Sequence, residues 1–295
     1  MNLKNTLGLL FGNNFCLGRK SFIAAVAALS VHGAASAASI GVNYVNTGDA
    51  GVQNGTADAL GSAEVAGVPG YTQSNWNNLG RWGNPTSVND GFGVLTSVFV
   101  TWDSANTWNT GVGTSTPNNK LMAGYIDATG QPNIPGSPYS GWDNANKPDA
   151  YVTGLVSWLS SQGVSSYSVL IYTDGDATEG RIGEYWLQNA SGSDFGALTL
   201  GSDLTGHVFA RDSANFSGTF TQVPGTANSV GNAVDGNYIL FTGLTADSFL
   251  MRTEEQTFRA QINGFQIVAE VPEPGSMALL GLGGLSFALA RRRYR

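Results

Sequence analysis

Cysteine and histidine are almost missing from this chain. It has one cysteine, Cys16, and two histidines, His32 and His207, in 295 residues. Zinc sites need clustered histidine or cysteine ligands, and acyl-transfer enzymes need a base beside a serine or cysteine nucleophile. No such cluster can be assembled here, and no Gly-x-Ser-x-Gly elbow precedes a helix. His207 lies in Gly206-His207-Val208-Phe209, where an ordinary hydrogen-bonded or exposed role is expected. Glycine loops with a phosphate-binding lysine are also missing. Charge is scarce, at 12% of residues. Residues 38–270 hold 20 acidic against 7 basic side chains, a net of −13, which repels nucleic acid and anionic lipid. Gly, Asn, Ser and Thr fill the surface instead, as in secreted β-rich proteins with long loops.

The two ends differ from what lies between them. Arg19 and Lys20 precede the apolar run Phe22 to Val31, and Ala35-Ser36-Ala37 is a small-x-small cleavage site. This is the pattern of a secretory signal peptide over residues 1–37, and a run this short suits a signal better than a membrane anchor. Cys16 lies upstream of the run, is not placed as a lipoprotein acceptor, and leaves with the leader. At the other end, residues 271–295 read Val-Pro-Glu-Pro-Gly-Ser, then the uncharged segment Met277 to Ala290, then Arg291-Arg292-Arg293-Tyr294-Arg295. Fourteen helical residues reach ~21 Å, short of a ~30 Å hydrocarbon core. Including Pro274 to Ser276 and letting the arginines snorkel brings a transmembrane helix within reach. The arginines should stay cytoplasmic, placing everything before them outside. The alternative is a buried C-terminal helix with a solvated basic tail.

The order Pro272-Glu273-Pro274, hydrophobic span, basic terminus resembles the PEP-CTERM sorting signal. The resemblance implies an exosortase substrate, with Pro272, Glu273 and Pro274 as the recognised motif. It also implies a precursor held at the inner membrane, processed there, and passed to the cell surface or medium of a polysaccharide-producing Gram-negative bacterium. The partners expected are exosortase, signal peptidase and, for the body, extracellular polysaccharide, with no nucleic acid.

Between the ends, residues 38–270 read as one extracytoplasmic domain. Strands are expected at Ile40–Val45, Leu95–Trp102, Leu121–Ile126, Ser166–Thr173, Ile182–Gln188, His207–Arg211, Gly218–Val223, Tyr238–Phe241, Phe249–Thr253 and Ile262–Ala269. Asn46–Asn89 reads as a long loop stretch with scattered short strands, and Asp103–Asn119 as a loop carrying Trp108. Val152, Leu155, Val156 and Leu159 repeat at helical spacing within Asp149–Gln162. The fold class is mostly β, an antiparallel jelly-roll-type sandwich with long loops, signal peptide and C-terminal membrane helix. Asn237-Tyr238, Phe241-Thr242-Gly243-Leu244 and Asn263 to Val268 resemble the closing strands of galactose-binding-like and malectin-like sandwiches.

Three sets of residues carry candidate chemistry. Asp174, Asp176 and Glu179 place three carboxylates within six residues, and oxygen ligands are what calcium prefers. The further ligands of an EF-hand loop are missing, and a solvated hairpin turn accounts for the same residues. No other cofactor is implied. Trp76, Trp82, Trp108 and Trp142 lie in Asn/Gly-rich stretches, placed to stack on sugar rings or to pin loops to the sandwich. Trp102, Trp158 and Trp186 sit in regular patterns and read as core. Paired carboxylates for glycoside hydrolysis, drawn from Asp103, Asp127, Asp143, Asp174 and Glu184, cannot be matched from sequence. The expectation is a non-enzymatic structural or carbohydrate-binding surface protein of the exopolysaccharide matrix or biofilm. The alternative is a secreted glycoside hydrolase or lyase.

Overall fold

The computed structural model describes residues 37–127, 149–176 and 180–271. The expected signal peptide, the sorting tail, Trp142, Asp143 and Glu179 lie outside the described residues. Among the described residues no helix is long and apolar enough to cross a membrane.

In chain order the strands begin β1 (Ser39–Tyr44), β2 (Asn77–Leu79), β3 (Gly83–Asn89), β4 (Leu95–Asp103), β5 (Asn106–Asn109), β6 (Gly124–Asp127) and β7 (Asp149–Thr153). There follow β8 (Tyr167–Tyr172), β9 (Arg181–Ser191), β10 (Thr199–Asp203), β11 (Val208–Asp212), β12 (Gln222–Val223), β13 (Val234–Asp235), β14 (Tyr238–Leu244), β15 (Phe249–Thr257) and β16 (Gly264–Ala269). Among the described residues two helices of about two turns, α1 (Pro117–Ala123) and α2 (Leu155–Ser161), interrupt them.

The strands form two open sheets and a ribbon. One sheet runs β12-β14-β8-β16-β1-β2; the other runs β13-β11-β9-β15-β7-β4-β3, with β10 beside β9. β5 and β6 pair by themselves. Alternation along each strand sends one set of side chains between the sheets. Ile40, Val42, Val169, Ile171, Phe265 and Ile267 of the first sheet meet Val98, Val100, Trp102, Val152, Leu187 and Met251 of the second in one buried cluster. Each such side chain contributes about 1.5–3 kcal/mol through burial. The edges are blunted: β2, β12 and β13 are three residues or fewer, and β3 carries Pro85, which cannot donate to another strand.

The mostly-β expectation holds, and most expected strands appear within a few residues. Four local expectations are corrected. The Asp149–Gln162 segment is a strand followed by a helix, joined at Gly154, whose φ of +81° is left-handed. Two short elements in series reproduced the spacing of one longer helix. Leu121–Ile126 is not one strand: its first half ends α1, which Thr116 caps by accepting the Asn119 N–H at 3.1 Å, and only Gly124–Asp127 is strand. Within Asp103–Asn119, Trp108 sits on strand β5 rather than in a loop. Finally, Asp174–Arg181 does not close a hairpin: β8 and β9 belong to different sheets, and the segment crosses from one to the other.

Candidate functional site

The ribbon and the β8–β9 crossover meet at one end of the sandwich. In the ribbon Trp108 lies opposite Tyr125 and Asn106 opposite Asp127, so these four share one face. The other face is tied to the body, with Ile126 in the core and Thr107 Oγ1 donating to the Thr47 carbonyl at 2.8 Å. Tyr125 donates its hydroxyl to Asp176 Oδ1 at 3.1 Å, and Arg181 Nη1 donates to the same oxygen at 2.6 Å. From the β15–β16 connection, Arg259 Nη1 reaches Asp127 Oδ2 at 2.9 Å and the Tyr125 hydroxyl at 3.3 Å. Burial pulls the Asp176 carboxyl upward, but the hydrogen bond and charge of Arg181 outweigh it and hold the group below its ordinary value. Burial pushes the Tyr125 phenol up, and the charges of Asp127 and Asp176 add to that. Trp108 stands beside this network with half its surface, 50%, in solvent.

Two residues back along the crossover, the environment inverts. Asp174 is buried, accepts the Phe216 N–H at 2.9 Å, and donates its own N–H to Asn263 Oδ1 at 2.5 Å. Asp212, at the end of β11, accepts from Gln261 Nε2 at 2.9 Å. Burial pushes Asp174 up to about 8, with the Asp212 charge adding to it against the Phe216 hydrogen bond. Burial likewise pushes Asp212 up to about 7, although Arg181 opposes it. Gly175 makes this approach possible: a Cβ there would fall 2.6 Å from Asp212 Oδ2. Both carboxyls border a polar cleft of about 270 Å³ whose wall includes Arg211, Asn215, Asp235 and Asn237.

Asn263 couples the two environments. Its amide nitrogen donates to the Met122 and Gly124 carbonyls at 3.1 and 3.0 Å, while its oxygen takes the Asp174 N–H. One buried side chain thus fixes the ribbon against the crossover.

The residues singled out in sequence separate into groups. Trp108 and Asp176 converge through Tyr125. Trp76 is only 5% exposed, donates Nε1 to the Gln73 carbonyl at 3.0 Å and packs edge-on against Tyr172, so it pins its loop. Trp82 is half-buried. Trp102 and Trp158 are core, whereas Trp186, also buried, lies on the outer face of its sheet beneath His207 and Arg252. His207 contacts Glu184 at 2.5 Å and Asp203 at 3.2 Å and stacks on Trp186, the hydrogen-bonded role expected of it. Asp174 and Asp176 turn to different partners, and among the described residues no three His, Cys, Asp or Glu side chains are gathered to hold a metal ion. Of the carboxylates considered for catalysis, Asp103 neighbours Asp149 in register, Asp127 meets Arg259, and Glu184 meets His207. Asp174 is brought to Asp212, which sequence reading passed over along with Tyr125, Arg181, Arg259 and Asn263. The only local hint of Asn263 is an Asn-Gly step immediately before a strand.

Comparison with known families bears on residues 270–293, which match the PEP-CTERM protein-sorting motif. The chain carries a PEP-CTERM sorting signal. The motif makes it an exosortase substrate, exported for the cell surface. Neither the curated proteins nor the solved structures contain a match, and the likeness to galactose-binding-like and malectin-like sandwiches gains no support.

Proposed function

We propose that this PEP-CTERM protein delivers a non-enzymatic, carbohydrate-binding body to the envelope, where it serves the exopolysaccharide matrix. The observation that carries the reading is Trp108, half-exposed on a short ribbon held to the body by Thr107, Ile126 and Asn263. An indole face offers a pyranose ring a large, rigid contact, and adjacent hydrogen-bonding groups can take its hydroxyls. The body is a jelly-roll-type sandwich in this reading, supported by the alternation of β11 to β16 between the two sheets. Signal peptidase and exosortase are the processing partners, and the inner membrane a transient station. A glycan array probed with the full-length chain tests the reading. Saturable capture of oligosaccharides is expected, and no capture across the array would defeat it.

One observation favours a second reading, a polysaccharide-active hydrolase or lyase. Asp174 and Asp212 border one open cleft, and both carboxyls are pushed toward the neutral range, as a general acid requires. Release of new chain ends from a polysaccharide, abolished in D212N, would establish that reading and displace the first.

A further inference from the structure

Phe258, on the connection between β15 and β16, is anomalous on two counts. Its φ is +71°, in the left-handed region that disfavours a residue with a Cβ, at a cost of roughly 1–2 kcal/mol. Its ring is also 79% exposed, so hydrophobic burial in this fold does not offset that cost. A glycine would satisfy the backbone there. The next residue, Arg259, enters the network beneath Trp108, contacting Asp127 and the Tyr125 hydroxyl. Phe258 is therefore one residue from an arginine of this polar floor, and Trp108 pairs across the ribbon with Tyr125 of the same network.

The groups on that floor are already matched in charge. Asp176 is paired with Arg181 and Asp127 with Arg259, and the Asp176, Arg181 and Arg259 side chains keep 31%, 19% and 28% of their surface exposed. Guanidinium N–H groups and carboxylate lone pairs beyond those used in each pair can serve hydroxyls. A ligand with a full charge would meet no uncompensated partner among these pairs, and an anionic one would face a body of net −13 from 20 acidic and 7 basic residues. We infer that Trp108 and Phe258 form a two-ring binding site for a neutral polysaccharide chain, with the exposed parts of Asp176, Arg181 and Arg259 taking its hydroxyls. This rests on the carbohydrate-binding reading and gives it a location and a charge class.

The test is a fluorescence titration of the full-length chain in mild detergent, with cellohexaose and mannohexaose as neutral probes and hexagalacturonate as the acidic one. Wild type is compared with W108F, W108A and F258G. The last variant removes the ring and relieves the backbone, so its melting temperature should equal or exceed that of wild type. Binding of at least one neutral probe is expected, with affinity lowered about tenfold or more in W108A and in F258G, partial retention in W108F, and weaker binding of the uronate. Neutral binding that survives either ring deletion would overturn the site while leaving a carbohydrate-binding body intact. A preference for hexagalacturonate would overturn the charge class. If the two deletions instead abolish a concentration-dependent dimer without affecting sugar binding, the rings belong to a self-association surface and the inference fails. No binding of any sugar would remove both this site and the function on which it rests.

Discussion

At the scale of single residues, Asp174 and Asp212 show how far an aspartate's role depends on contacts its neighbours in sequence do not reveal. Both carboxyls are raised on folding, from 3.8 to about 8 and about 7, chiefly by burial. A carboxyl raised in this way adds stability that is complete below its unfolded pKa and is lost as pH climbs through the folded value. Stability should therefore decline between about pH 4 and pH 8. Asp174→Asn keeps an oxygen for the Phe216 N–H and cannot ionise. It should be about 2 kcal/mol more stable than wild type at pH 9 and show little difference at pH 4, measured by urea unfolding across that range. A parallel loss of stability with pH in both proteins would contradict the assignment. Asp174 was legible in sequence as part of an acidic turn. Its partner was not, because Asp212 lies on another strand and Gly175 lets them meet only after β8 and β11 are placed. Trp108 was legible as a candidate because asparagine flanks it. Phe258 was not, since neither backbone strain nor exposure is written in the residues around it.

At the scale of elements, the junction between β7 and α2 is the clearest case of tertiary structure deciding local form. Gly154 ends the strand and turns the chain into the helix, and an added Cβ would lie 2.3 Å from the Ser97 carbonyl oxygen. The helix start is held from far away: the Leu155 N–H donates to the Asp247 carbonyl at 3.1 Å, and the Val156 N–H to Asp247 Oδ1 at 2.8 Å. No capping residue adjacent in sequence announces it, so a continuous helix from Asp149 was the natural reading of the apolar spacing. Gly154→Ala should cost about 3 kcal/mol through strain and collision, and Asp247→Ala about 1 kcal/mol through the lost cap, both read as shifts in the urea midpoint. Equal effects of the two would point away from a left-handed hinge. At α1, by contrast, the start was present locally as Thr116-Pro117, and the apolar run Leu121–Ile126 hid it because its two halves belong to different elements. The strands β4, β8 and β16 were readable because β-branched and aromatic residues run through them.

At the scale of the whole molecule, composition and topology describe an acidic body built of two sheets. Its charged residues are few and mostly acidic, its long sheets end in short or proline-bearing strands, and its two sheets enclose one large apolar cluster. The sorting signal was the most legible feature, because its three parts are contiguous and their order is itself the signal. The strand order was the least legible, since crossing between two sheets at the β8–β9 step leaves no local trace. Pro272-Glu273-Pro274 is the motif expected to direct processing after export. Intact mass and location of the protein, compared between wild type and a variant with all three residues replaced by alanine, test it most directly. Wild type should be recovered outside the cytosol without residues 1–37 and without the basic tail, while the variant accumulates in the membrane fraction with its tail uncut. An unprocessed 30.8 kDa chain, soluble in the cytosol and unchanged by the substitution, would contradict it.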